Sequence, residues 1–291
     1  MTLEKYFAPK SVKEAISLLS EYGQKARVIS GGTDLLAQMK HREVLPQCVI
    51  SIGNISELST IKYDESKGLN VGVLTSVVDI ANSPVVKSKF GILAQAAGQL
   101  GTPSIRNQAT LGGNLCNAAP SADTAPPLLV LEAMAKIAGV KGEKMVPLET
   151  FFTGPGQTIL EQGQLLTEIQ IANLPPHSGG FYLKQTRRHG ADLATVGVAA
   201  LVVMDGQILK DVRIALGAVA PIPIRARKAE AILRGYSVDG KRLEEAGQAA
   251  SQEAKPIDDV RSSAEYRKTL VAVLTRRAVT QAIQQTRSEV V

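Results

Sequence analysis

Ala26-Arg27-Val28-Ile29-Ser30-Gly31-Gly32-Thr33-Asp34-Leu35-Leu36 is the stretch that decides how this chain folds. Its first five residues form a β-type run that breaks at paired glycines, and residues 33–36 read as a helix start. Upstream, Ser11-Val12-Lys13-Glu14 fits a capping box, with Ser11 as the cap and Glu14 reaching back. Val12, Ala15, Ile16, Leu19 and Tyr22 then recur at helical spacing, and Gly23 closes the helix. Downstream, Cys48-Val49-Ile50-Ser51-Ile52 has the pattern of a buried strand. The order helix, strand, glycine turn, short helix, strand predicts a compact α/β unit over residues 1–56.

A second α/β unit is expected over residues 57–176. Leu69-Asn70-Val71-Gly72-Val73 alternates like a strand, Thr75 can cap the helix after it, and Pro84 opens another. Residues 91–100 form a small-residue helical run that ends at Gly101. Residues 102–127 are rich in Gly, Pro, Asn and Thr and read as a long loop, which inside a compact domain is usually functional. Residues 128–138 read as a buried helix or a strand edge, and 165–171 alternate as a strand. Pro175-Pro176-His177-Ser178-Gly179-Gly180 marks a boundary, leaving 177–291 as a C-terminal unit. There, apolar runs at 181–187 and 195–204 are followed by Asp205-Gly206, a type I′ hairpin signal. With Ile208 and 212–219 they predict a three-stranded antiparallel sheet. After Pro221 and Pro223 the period becomes helical, over 226–234, 239–254 and 263–286. Strands followed by a helical bundle give an α+β unit.

Composition narrows the function. Hydrophobic residues make up 44% of the 291, with no Trp, so aliphatic side chains must fill an ordinary core. No apolar run approaches the ~20 residues of a membrane span, and the N-terminus lacks a signal-type apolar stretch. A cytoplasmic protein is expected. Two cysteines, Cys48 and Cys116, make no disulfide framework and have no metal-ligand spacing. An iron–sulfur cluster needs about four thiolates, so this chain holds none alone. His41, His177 and His189 are too scattered for a zinc or copper site. Any redox chemistry here needs a borrowed organic cofactor. The net charge of +6 suits an anionic ligand or an acidic partner, and equally a solvated surface. Basic residues are not interleaved with aromatics, which argues against nucleic acid.

Two glycine loops carry the chemistry. One is Ile29-Ser30-Gly31-Gly32-Thr33-Asp34; the other is Thr110-Leu111-Gly112-Gly113-Asn114. Without Cβ atoms, such segments permit positive φ and let backbone amides approach an anion closely. A nest of amides binds a pyrophosphate without needing lysine, and Thr33 and Thr110 can add hydroxyl donors. Taken alone, a Gly-Gly after a strand more often makes a tight turn. Neither loop matches G-x-G-x-x-G or G-x-x-x-x-G-K-[ST], so a Rossmann or P-loop site is disfavoured. Two such loops in one domain point to an extended dinucleotide with its pyrophosphate between them.

The segment Ile105-Arg106-Asn107-Gln108-Ala109-Thr110-Leu111-Gly112-Gly113-Asn114, continuing to Pro120-Ser121-Ala122-Asp123 and Pro126, resembles the FAD-subunit signature of molybdenum hydroxylases. That family includes xanthine dehydrogenases, aldehyde oxidoreductases and carbon monoxide dehydrogenases. Ser30-Gly31-Gly32-Thr33-Asp34-Leu35-Leu36 is similar to its other flavin loop. The resemblance continues through Phe151-Phe152-Thr153-Gly154-Pro155-Gly156, Leu165-Leu166-Thr167-Glu168-Ile169 and Phe181-Tyr182-Leu183-Lys184 to Arg187-Arg188, in order along nearly the whole chain.

The resemblance implies an α+β protein: a vanillyl-alcohol-oxidase-type FAD domain of two α/β subdomains, then a three-stranded sheet with a helical bundle. It implies that Val28, Ile29, Ser30, Gly31, Gly32, Thr33, Asp34 and Leu35, with Thr110, Leu111, Gly112, Gly113 and Asn114, wrap the FAD pyrophosphate. Asp123 is to meet the ribityl or adenosine side, Leu166 to pack near the ring system, and Lys184 to lie near the isoalloxazine or its phosphate. Read as residues alone, Asp123 equally makes an Asx-turn or a helix cap, Leu166 is core, and Lys184 is a solvated strand lysine. Arg187-Arg188 reads as a surface feature, Asp192 as a local stabiliser, and Cys116 as a small packed residue or one facing the flavin. No histidine flanks either loop, so non-covalent FAD is expected, with no catalytic acid, base or metal ligand in this chain. Molybdopterin and [2Fe-2S] clusters then belong to partner subunits, in a dimer of heterotrimers. The flavin passes their electrons to NAD, oxygen or a quinone. Two alternatives stand beside this: a stand-alone flavin reductase resembling UDP-N-acetylenolpyruvoylglucosamine reductase, and a flavin-free assembly factor.

Overall fold

The computed structural model describes residues 3–188 and 190–288. In the first segment β1 (Lys5–Phe7), α1 (Val12–Tyr22), β2 (Ala26–Ile29), α2 (Leu35–Lys40) and β3 (Cys48–Ser51) build a parallel sheet of order β1-β3-β2. Ser11 caps α1 by accepting from the Glu14 amide, and Gly23 ends it at a φ of 52°. Glu14 reaches back to the Lys10 amide at 2.9 Å, one residue further than a capping box requires. β1 has only three residues, too few to show a period in the sequence.

Next come β4 (Ile61–Asp64), β5 (Gly68–Gly72), α3 (Val77–Asn82), α4 (Pro84–Lys89) and α5 (Gly91–Gln99). α3 is capped by Ser76, not Thr75, whose hydroxyl instead donates to the Thr60 carbonyl at 3.1 Å. The expected long loop is in fact three short helices: α6 (Pro103–Gln108), α7 (Leu111–Cys116) and α8 (Ala125–Val130). Thr102 caps α6 and Thr110 caps α7, and the prolines of α6 and α8 occupy first turns. There a missing N–H costs no hydrogen bond, so a loop-like composition encodes helix starts. After α8, Glu132 turns the chain at a φ of 52° into β6 (Met134–Gly139), so residues 128–138 are a helix end followed by a strand.

β7 (Gly142–Pro147), the small hairpin β8 (Phe152–Gly154) with β9 (Gln157–Thr158), and β10 (Leu165–Ile171) follow. The second sheet has order β4-β5-β10-β6-β7 and is antiparallel throughout.

The C-terminal sheet has four strands rather than three: β11 (Ser178–Gln185), β12 (Val196–Asp205), β13 (Ile208–Gly217) and the two-residue β14 (Ile224–Arg225), in that order. β14 is too short to register beside Pro221 and Pro223. β11 begins at Ser178, so Gly179 and Gly180 are strand residues. A Cβ on Gly179 would lie 2.1 Å from the Ala282 carbonyl oxygen, so glycine lets the strand sit against helix backbone. The β12–β13 turn is Gly206-Gln207 with positive φ at Gly206 only, which is not type I′. Three helices complete the chain: α9 (Arg227–Leu233), α10 (Gly240–Glu253) and α11 (Ala264–Ser288).

β12 is apolar on both faces. Ala199 and Leu201 join a core that runs from Ala15 to Ile171, while Val198, Ala200 and Val202 join a second core under the C-terminal helices. No helix of the described residues is long and apolar enough to cross a membrane. Gly179→Ala is expected to lower stability by roughly 1–3 kcal/mol, the usual cost of overpacking, in urea unfolding.

Candidate functional site

β2 runs into a cavity of about 900 Å³ at its carboxyl end, the place where parallel strands commonly offer ligands a crevice. Of the sixteen residues named from the sequence, all but Leu111 and Lys184 line it. The two glycine loops, 80 residues apart, meet here through a 3.0 Å contact between the Ser30 and Thr110 hydroxyls. Glycine makes this approach possible: a Cβ on Gly31 would fall 1.8 Å from the Gln108 carbonyl oxygen. Gly32 turns the chain at a φ of 74°.

The loops differ in what they can offer. The amides of Gly31, Gly32, Thr33, Asp34 and Leu35 have no hydrogen-bond partner among the described residues. Five consecutive free N–H groups on a cavity wall form a nest for an anion. In the second loop the amides are already engaged. Leu111 donates to the Thr75 carbonyl at 3.0 Å, Gly112 to Val73 at 2.9 Å, Gly113 to the Thr110 hydroxyl at 3.1 Å and Asn114 to the Thr110 carbonyl at 3.0 Å. The expectation that both loops present amides therefore holds for the first loop alone. The second is a rigid wall pinned to β5's end, and Leu111 is fully buried beneath it. The Asn114 side chain accepts from the Thr124 hydroxyl at 2.6 Å, which leaves its NH₂ for a ligand.

Asp123 lines the cavity but makes neither an Asx-turn nor a helix cap. Its carboxylate accepts from the Tyr182 hydroxyl at 2.9 Å and from the Lys184 ammonium at 2.7 Å, and Lys184 also donates to the Gln99 carbonyl at 3.0 Å. Lys184 is thus not a solvated strand lysine, and it does not reach the cavity; it stands behind Asp123, with both side chains 5% exposed. Burial pushes the Asp123 carboxyl up, against the pull of Lys184 and Tyr182. Burial, reinforced by Asp123, raises the Tyr182 phenol well above its ordinary value. Leu166 contributes wall from β10 and is 1% exposed.

Other residues join the site that the sequence did not single out. Gly101 and Gln164 line it, and the positive φ of Gly101 was legible only as a helix end. Arg188, read as a surface feature, and Asp192, read as a local stabiliser, lie on the wall with a 3.7 Å ion pair between them. Arg187 instead donates to the Val260 carbonyl at 2.8 Å. Cys116 opens onto the cavity, and the walls crowding it push its thiol up to about 12, so it is neutral at physiological pH. Asp34 is also open to the cavity, its carboxyl raised by desolvation. Among the described residues no group of three potential ligands could hold a metal ion; His189 lies outside them.

A free amide nest in a cavity of about 900 Å³, assembled from two loops that glycine at 31 lets touch, fits a dinucleotide pyrophosphate. Residues 2–174 match the family described as FAD binding domain in molybdopterin dehydrogenase. The chain belongs to that family. Residues 181–282 match the CO dehydrogenase flavoprotein C-terminal domain. The xanthine dehydrogenase FAD-binding subunit of Escherichia coli O157:H7 is 32% identical, over 96% of this chain and 95% of that one. Carbon monoxide dehydrogenase from Hydrogenophaga pseudoflava superposes with a TM-score of 0.93 and 34% identity, over 96% of each chain. Quinoline 2-oxidoreductase from Pseudomonas putida 86 gives 0.90 and 30%, over 97% of each. This molybdopterin dehydrogenase FAD-binding chain is therefore an oxidoreductase flavoprotein subunit with the vanillyl-alcohol-oxidase-type α+β fold.

Removing Lys184 leaves the Asp123 carboxylate buried without its counter-charge. Lys184→Met is expected to cost roughly 3–5 kcal/mol of stability in denaturant unfolding. Adding Asp123→Leu to it is expected to recover a large part of that loss.

Proposed function

We propose that this chain holds FAD non-covalently and relays electrons within a larger molybdenum hydroxylase. Molybdopterin and [2Fe-2S] clusters reside in separate large and small partner subunits, the assembly is a dimer of heterotrimers in the cytoplasm, and the units 1–56, 57–176 and 177–291 form the flavin subunit. The observation that carries this is the row of five free amides, residues 31–35, beside the second glycine loop on one cavity. Two cysteines in 291 residues leave the clusters to other chains.

Bound FAD supplies the exchange between one-electron and two-electron carriers, here from clusters to NAD, oxygen or a quinone-type acceptor. The chain's own residues bind and orient. Val28 and Ile29 bring the strand to the site, Ser30, Thr33 and the amides of Gly31 to Leu35 hold the pyrophosphate, and Thr110 and Gly112 to Asn114 form the adjoining wall, with Leu111 buried beneath it. Asp34 meets a hydroxyl rather than a phosphate, because its carboxylate would repel one. Asp123 accepts from a ribityl or ribose hydroxyl, Leu166 packs against the ring system, and Lys184 acts through Asp123.

The full chain is expected to take up one equivalent of FAD and to release free flavin on acid denaturation. It should oxidise no organic substrate until its partner subunits are added. A folded chain without FAD affinity, or one that alone turns over an organic substrate, would overturn the proposal. Gly113→Asp adds a negative charge on a Cβ that would lie 3.0 Å from the Ser30 and Thr110 hydroxyls. It is expected to weaken FAD binding by roughly a hundredfold or more, read by flavin fluorescence, with the circular dichroism spectrum unchanged.

A further inference from the structure

Phe181 and Leu183 alternate along β11 with Tyr182 and Lys184, so the two pairs leave opposite faces of one strand. Tyr182 and Lys184 turn to Asp123, which lines the dinucleotide cavity. Phe181 and Leu183 turn the other way, into a separate groove of about 620 Å³ between β11, α10 and α11. Leu243 and Val273 complete its apolar floor, and Phe181, Leu183 and Leu243 also pack against the C-terminal core. The volume falls within the roughly 300–1,000 Å³ of small-molecule sites.

Its polar rim comes from one helix, α11. Arg276 is paired with Glu244, and the Thr280 hydroxyl donates to the Arg276 carbonyl at 2.9 Å. Arg277 and Gln281, also on the rim, have no side-chain partner among the described residues. The groove thus presents one uncompensated positive charge and one free amide above an aliphatic and aromatic floor. A single carboxylate matches the guanidinium fork, and an unbranched apolar body matches the floor. A cation meets Arg277, and a hydrophilic anion leaves the floor unused.

We propose that this groove is a second ligand site, for an aliphatic monocarboxylate whose chain lies on Phe181, Leu183, Leu243 and Val273 and whose carboxylate accepts from Arg277 and Gln281. Decanoate is the probe, titrated calorimetrically into the full chain, with 1-decanol as the uncharged control. Saturable one-to-one binding of decanoate is expected, weakened roughly tenfold or more by Arg277→Gln and by less in Arg277→Lys, which keeps the charge but not the fork. Arg277 is exposed, so neither variant threatens the fold. Absence of saturable binding, equal affinity for 1-decanol, or full affinity in Arg277→Gln would overturn the proposal. Binding to the isolated chain that disappears in the assembled complex would assign the groove to a partner polypeptide and overturn it too.

Discussion

The cavity wall depends on one buried carboxylate. Asp123 leaves water to sit between Tyr182 and Lys184, and its desolvation is offset only because a phenol and an ammonium both reach it from β11. That geometry joins the segment before α8 to a strand about 60 residues later in the chain. That segment and α8 are each held at one further point: Ala218 donates to the Pro120 carbonyl at 2.7 Å, and Arg225 donates to the Leu129 carbonyl at 3.3 Å. The C-terminal sheet is therefore part of the cavity's foundation, although the residues this unit lends to the lining, Arg188 and Ala191 to Leu193, come from the connection between β11 and β12.

β12 shows why this joint is rigid. A strand that is apolar on both faces has no solvent side, so it reads in sequence as a continuous run rather than an alternation. Val196 to Met204 is such a run, and its two faces enter two different cores. Displacing β11 relative to α8 would disturb both cores at once, and close-packed interiors resist that.

Much of this was legible in the sequence, for reasons that differ by element. α1, β10 and the three C-terminal helices have enough residues to display a period, and Ser11 and Gly23 carry their own capping chemistry. The glycine loops were visible because two separated glycine pairs with flanking hydroxyls are unusual. Residues 102–127 misled because Pro, Gly and Thr serve turns and helix starts alike, and only the partner of Thr102 or Thr110 distinguishes them. Lys184 was unreadable as a buried cation: its burial depends on Asp123 arriving from elsewhere. Arg188 and Asp192 reached the wall by tertiary folding, which no local pattern reports.

The division between the loops shows what a site with so little cationic character offers to an anion. Lys184 is engaged by Asp123, Arg188 by Asp192 and the Ala191 carbonyl, and Arg27 by the carbonyls of Gln24 and Ala26. What remains for an anion is a set of fixed amide dipoles. Such dipoles need no counter-charge when the site is empty and no reorganisation when it fills. The condition is that the second loop must not compete for them. Its own amides are satisfied by Val73, Thr75 and Thr110, so the two loops can touch through Ser30 and Thr110 while the nest stays open. Glycine at 31 permits the contact, and internal hydrogen bonding at 111–114 keeps it from closing the nest.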